Sequence, residues 1–182
     1  MDADLVIRAQ RGDKDAYAVL AAGIADRLLA VARRILRDYD LAEDATQQAL
    51  LAAWRDLPQL RDPGRFESWS YRLLVRACYA ESRRERRWAP SLRLLPVGDQ
   101  SADGDLSSVV DRDEIERGFR RLSIDHRAVV VLHHYLDLPL DRVAELLGIP
   151  VGTAHSRLHH AMRGLRAALD ADSRPPTREV AK

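Results

Sequence analysis

Apolar residues recur three and four positions apart along nearly the whole chain, and no stretch alternates apolar and polar residues between hairpin turns. That spacing gathers side chains onto one face of an α-helix, so the pattern predicts an all-α fold. Tyr17, Leu20, Ile24, Leu28, Ile35 and Tyr39 mark one face of a long first helix, with Asp26, Arg33, Arg34 and Arg37 largely elsewhere. A second helix is expected from Asp40, a carboxylate able to cap free amides while Glu43 bonds back, to about Leu57, ahead of Pro58. Pro58, Pro63 and Gly64 make Leu57 to Glu67 a loop, and a third helix should run from about Ser68 to Trp88, closed by Pro90.

Periodicity lapses between Ala89 and Val110, where prolines, glycines, serines and aspartates accumulate. Such a composition favours a flexible linker with an acidic middle, placed at 90–110. It divides the chain into an N-terminal helical domain at 1–89 and a C-terminal one at 111–171, and the tail 172–182, with Pro175 and Pro176, is expected to be disordered. Asp111 with Glu114 is the next expected cap, and Ile115, Phe119 and Leu122 supply an apolar face. Helices then follow at about Asp125 to Leu136, Leu140 to Leu147 and Val151 to Leu169.

The last two helices carry the sharpest chemical signal. Gly148 can take the left-handed conformation that ends one helix, and Pro150 suits the start of the next, where no amide bond is lost. Around the second helix Ala154, Leu158, Ala161, Met162, Leu165 and Leu169 share one arc, the width of a core-facing stripe. Thr153, Ser156, His160 and Arg163 lie opposite, flanked by His155, Arg157, His159 and Arg166. No acid falls between Pro150 and Leu169, so the helix is a positive rod with short polar groups near its N-terminus, suited to a major groove and its phosphates. A purely structural helical hairpin would explain the packing but not the missing acids. His155 and His159 are one turn apart, as two metal ligands would be, yet no acid accompanies them and no metal is expected.

The third helix holds a second positive surface. Arg72, Arg76, Arg83, Arg86 and Arg87 share a sector with Trp69 and Tyr79, and Arg84 adjoins it. Guanidinium groups neutralise phosphates and aromatic faces stack on bases, the combination that a single strand requires. The alternative is that Trp69 and Tyr79 are core residues and the arginines a solvated face. Asp40, Glu43, Asp44, Gln47 and Gln48 make the second helix acidic and polar, repelled by DNA and fit to dock on a basic protein surface.

Composition adds limits to this picture. A hydrophobic share of 46% and a charged share of 31% over 182 residues suit a folded protein in water, and the net charge of +1 hides the local basic patches. Cys78 is the single cysteine, which excludes an intrachain disulfide and fits a reducing compartment. With no basic-then-apolar leader and no apolar run long enough to span a bilayer, the expectation is a cytoplasmic protein without membrane insertion. No phosphate-binding loop, nucleophile elbow or Cys–His arrangement appears, so neither catalysis nor a cofactor is expected.

Taken in order, these parts resemble the extracytoplasmic-function group of bacterial sigma factors from about Asp13 to Leu169. Ala42 to Trp54 resembles the family's polymerase-docking helix, Trp69-Ser70-Tyr71-Arg72 with Arg83 to Arg87 its promoter-melting helix, and Val129 to His159 its C-terminal helix-turn-helix. The resemblance implies that core RNA polymerase binds through Asp40, Glu43, Asp44, Gln47, Gln48 and Trp54. It also implies promoter DNA as a partner, duplex at the minus-thirty-five element and melted at minus-ten, with the loop Leu57 to Glu67 capturing a flipped base. An anti-sigma factor is a further implied partner. Ala77, Gln48, Pro150 and His155 depart from the family's usual asparagine, glutamate, serine and lysine, which bears on promoter choice and not on the polymerase role. The competing reading is a helix-turn-helix regulator that binds an operator without joining the polymerase, and it leaves the acidic second helix without a role.

Overall fold

The computed structural model describes residues 3–88 and 116–172, all helices and turns with no strand among them. The sequence linker, the Asp111 cap and the C-terminal tail beyond Asp172, which ends the last helix, lie outside these residues. Helix α1 (Ala3–Gln10) was not evident from periodicity, because only Val6 and Ala9 of its eight residues are buried. Its Gln10 side-chain amide donates to the carbonyls of Leu57, at 3.1 Å, and Leu60, at 2.7 Å, and so fastens the following loop.

Helix α2 (Lys14–Leu36) starts at the Asp13 cap, which accepts from the Ala16 amide at 3.0 Å, and buries Leu20, Ile24, Leu28 and Ile35 as the pattern predicts. Tyr39 does not extend that face. Arg37 turns left-handed at φ 63° and ends α2, and Asp38 is extended at the start of α3 (Tyr39–Asp56), leaving Tyr39 exposed under the Arg33 guanidinium. The cap is therefore Asp38, accepting from Leu41 at 2.9 Å, and not Asp40. Arg37 and Asp38 separate the two helices, and Asp38, extended at φ −139°, has the backbone a cap needs; Asp40 sits in the first turn, where its charge favours the helix dipole.

The loop contains two short 3₁₀ turns, Leu57–Gln59 and Pro63–Arg65, and runs directly into α4 (Phe66–Trp88), two residues before the expected Ser68. Residues 116–121 form the described part of α5. Ser123 caps α6 (Ile124–Val130), which starts one residue before the expected Asp125 and opens into a π-helical turn, Val131–Tyr135. Helix α7 (Leu140–Leu147) and helix α8 (Val151–Asp172) complete the chain.

The two helical domains are packed together. Ile124, Ala128, Val129, Val131, Leu132 and Val143 belong to the same buried cluster as Leu20, Ile24, Leu28, Phe66, Leu74 and Cys78. A smaller cluster of Leu122, Val130, Ala161 and Leu165 holds α8 on its own domain. Polar ties cross the boundary: Arg65 to Glu145 at 2.7 Å, Tyr79 to Asp125 at 2.9 Å, Arg37 to Glu116, and Arg34 over the Tyr135 ring at 3.8 Å.

Cys78 lies inside this shared core, fully buried, and burial raises its thiol pKa to about 12. Thiolate is the reactive form, so a thiol reagent at mildly alkaline pH should label the native protein far more slowly than the urea-unfolded one. Equal rates would place Cys78 outside the core.

Candidate nucleic-acid interface

The α7–α8 turn forms as its residues dictate. Gly148 is left-handed at φ 66°, the Ile149 amide returns to the Ala144 carbonyl at 3.1 Å, and Pro150 stands just ahead of α8 with its carbonyl accepting from Thr153 and Ala154. Ala154, Ala161, Leu165 and Ala168 are buried and Leu158, Met162 and Leu169 half-buried, so the apolar arc faces inward. His155, Ser156, His159, His160, Arg163 and Arg166 are exposed, and Thr153 is half-buried. Among the described residues, no cluster of three or more His, Cys, Asp or Glu is placed to hold a metal ion. Arg157 differs from its neighbours: half-buried, it pairs with Asp125 at 3.2 Å.

On α4, Arg76, Arg83, Arg84, Arg86 and Arg87 are exposed, while Trp69, Arg72 and Tyr79 are half-buried. Trp69 rests against Phe66, ring centres 6.2 Å apart, and Arg84 is shared between Glu81 and Asp44 of α3, each at 3.3 Å. Tyr79 donates its hydroxyl to Asp125; burial first, and that carboxylate second, raise the phenol pKa and keep it a donor. Arg72 has a buried Nε without a partner and lines, with Trp69 and Tyr71, one wall of a cleft of about 710 Å³. Residues 59–62 with Gly64 and Arg65 continue that wall, and Tyr135, Leu138, Arg142 and Glu145 form the other. Sequence reasoning did not reach Arg142, Glu145 or Asp125 as neighbours of the α4 surface, because no local pattern marks residues that meet across domains.

The exposed face of α3 presents Asp40, Glu43, Asp44, Gln47 and Gln48 to solvent. At its C-terminal end Trp54 packs on Tyr17, ring centres 4.8 Å apart, and the Tyr17 hydroxyl donates to the Leu50 carbonyl. Lys14, Tyr17, Gln47, Leu50, Leu51 and Trp54 together line a shallow apolar groove of about 350 Å³. Leu51, 56% exposed, was missed from sequence, although its position three residues after Gln48 places it on the same face.

These surfaces fit one class, an all-helical DNA-binding protein with a helix-turn-helix in one domain and a basic, aromatic helix beside an acidic one in the other. Residues 20–88 match the model of Sigma-70 region 2 and residues 112–165 that of Sigma-70, region 4. The chain belongs to the extracytoplasmic-function group of RNA polymerase sigma factors, and its function is in promoter-directed transcription initiation. It is 32% identical to the ECF RNA polymerase sigma factor SigL of Mycobacterium tuberculosis over 76% of this chain and 80% of that one. It is 29% identical to the RNA polymerase sigma-H factor of Pseudomonas aeruginosa over 98% and 97%. Among solved structures it is similar to CnrH in complex with the cytosolic domain of CnrY, with TM-score 0.68 and 25% identity, covering 94% of this chain and all of that one.

Proposed function

We propose that the three surfaces divide the work of initiation. The exposed acidic and polar face of α3, ending in the Leu51–Trp54 groove, docks core RNA polymerase. The arginines of α4 with Trp69 and Tyr79 bind the melted minus-ten strand, and residues 57–67 take a flipped base. The outer face of α8, with Thr153, His155, Ser156, Arg157, His159, His160 and Arg163, binds duplex at the minus-thirty-five element. The supporting observation is the separation of a helix with no acid before Asp170, a basic aromatic helix and an acidic helix bordered by exposed apolar residues onto three distinct faces. An operator-binding regulator would need only the first.

The chain works by recruitment and has no catalytic step of its own. Among the described residues no helix is long and apolar enough to cross a membrane, and the polymerase it serves places it in the cytoplasm. The likeness to CnrH, seen in complex with the cytosolic domain of CnrY, supports a further protein partner, for which an anti-sigma factor is the proposal.

The test is co-elution with bacterial core polymerase and promoter-specific transcription from the mixture. Leu51→Asp, which puts a charge into an apolar groove without touching the core, should weaken polymerase binding by roughly tenfold or more and leave binding to duplex DNA unchanged. DNA binding without polymerase association would move the assignment to an operator-binding regulator.

A further inference from the structure

We propose that the junction of α2, α4 and α6 is a binding site for the phosphate group of a small ligand, held between Arg37, Arg86 and Arg127. It goes beyond the division of surfaces above, in which only Arg86 has a part. Arg37 ends α2 in the left-handed conformation, φ 63°, which at this position is usually left to glycine because a Cβ makes it costly. An arginine held there against the preference of its own backbone points to a use for its side chain. That side chain is only 17% exposed; it pairs with Glu116 of α5 through a terminal nitrogen, and its buried Nε has no partner.

Arg127 repeats the arrangement from α6, which packs on both α2 and α4. It is half-buried, and its Nε is likewise buried without a partner. Burial disfavours its charged form first, then Arg37 and Arg86, while Glu85 favours it. The charge on Arg37 is disfavoured by burial and then by Arg120. Guanidiniums from three helices therefore crowd one partly buried place, two of them with a donor still to satisfy, and Arg86 stands exposed beside them.

The chemistry that completes such a place is a multivalent oxyanion. Guanidinium edges bind phosphate through paired N–H groups, and the charge of the anion relieves the repulsion among them. A carboxylate has two oxygens in one plane, and Glu116 already gives its own to Arg37. A tetrahedral phosphate has oxygens enough to accept from both free Nε groups and from Arg86 together. Free pyrophosphate and a nucleotide share this chemistry, and an experiment tells them apart.

Thermal unfolding of the full chain, followed by circular dichroism in chloride buffer of fixed ionic strength, tests the site with inorganic phosphate, pyrophosphate and ADP as probes. Pyrophosphate at saturation should raise the melting temperature by about 3 °C or more, since a ligand of the folded state alone stabilises it. Arg127→Met should melt at or above the wild type in chloride, because it removes a half-buried charge without a partner, and should lose most of the pyrophosphate shift. Arg127→Lys, which keeps the charge and lacks the planar fork, should retain at most about half of it. Arg163→Ala on α8 should respond in full, which separates this site from phosphate contacts of the helix-turn-helix. A larger shift with ADP than with pyrophosphate assigns the phosphate to a nucleotide, an equal one to the free oxyanion, and both support the site. A wild type that responds to none of the three anions, or an Arg127→Met variant that responds in full, would overturn it.

Discussion

Leu132→Ala is expected to lower the stability of the whole described fold by about 2–5 kcal/mol, in a single transition. Leu132 is fully buried in the π turn of the C-terminal domain, and the cluster around it includes α2 and α4 residues of the other domain. Truncating it leaves a cavity in a core that both domains share, so the cost should not stay with its own helices. The chain supplies a domain-specific probe, because all three tryptophans, Trp54, Trp69 and Trp88, lie in the N-terminal domain. Urea unfolding followed by tryptophan fluorescence and by far-UV circular dichroism should shift to lower midpoint by the same amount with both signals. A fluorescence midpoint that stays put while the dichroism becomes biphasic would show two independent cores.

What the sequence disclosed and what it concealed separate along the same line. Helix α7 and the Gly148 turn were legible residue by residue because a left-handed glycine, a proline and an apolar stripe are local devices acting within one turn. The inward arc of α8 was legible for the same reason. The cap of α3 was not: Asp40 with Glu43 has the spacing of a capping box, but the left-handed Arg37 ends α2 so abruptly that Asp38 takes the position. Helix α1 escaped because two buried residues make no stripe.

The contacts between domains left no trace in periodicity at all. Asp125, Glu145 and Tyr135 look like ordinary surface residues of short helices, and only the fold brings them to Tyr79, Arg65 and Arg34. Tyr79 shows how a local reading can be incomplete without being mistaken. It sits in the sector the helical wheel gave it, half-buried, and what covers it is the other domain and not its own core.

The two proposed DNA surfaces should fail differently when cut. Arg163 is exposed on the outer face of α8, 3.3 Å from His160, with no acidic partner on its own helix before Asp170. Arg163→Ala should weaken duplex binding by about 1–3 kcal/mol if its guanidinium reads a base edge, with the loss concentrated on the cognate minus-thirty-five sequence. Arg83 and Arg87 stand one turn apart on α4, both exposed. If each binds a phosphate as proposed, replacing both with alanine should lower the salt slope of single-strand binding by about 1.4 and slow promoter opening while leaving duplex discrimination intact. Salt titrations of both variants on strand and duplex, with permanganate footprinting of the opened promoter, read the two effects apart. Matching defects on both substrates would mean that α4 and α8 act on DNA as one surface, and that the separation of recognition from melting is not carried by these arginines.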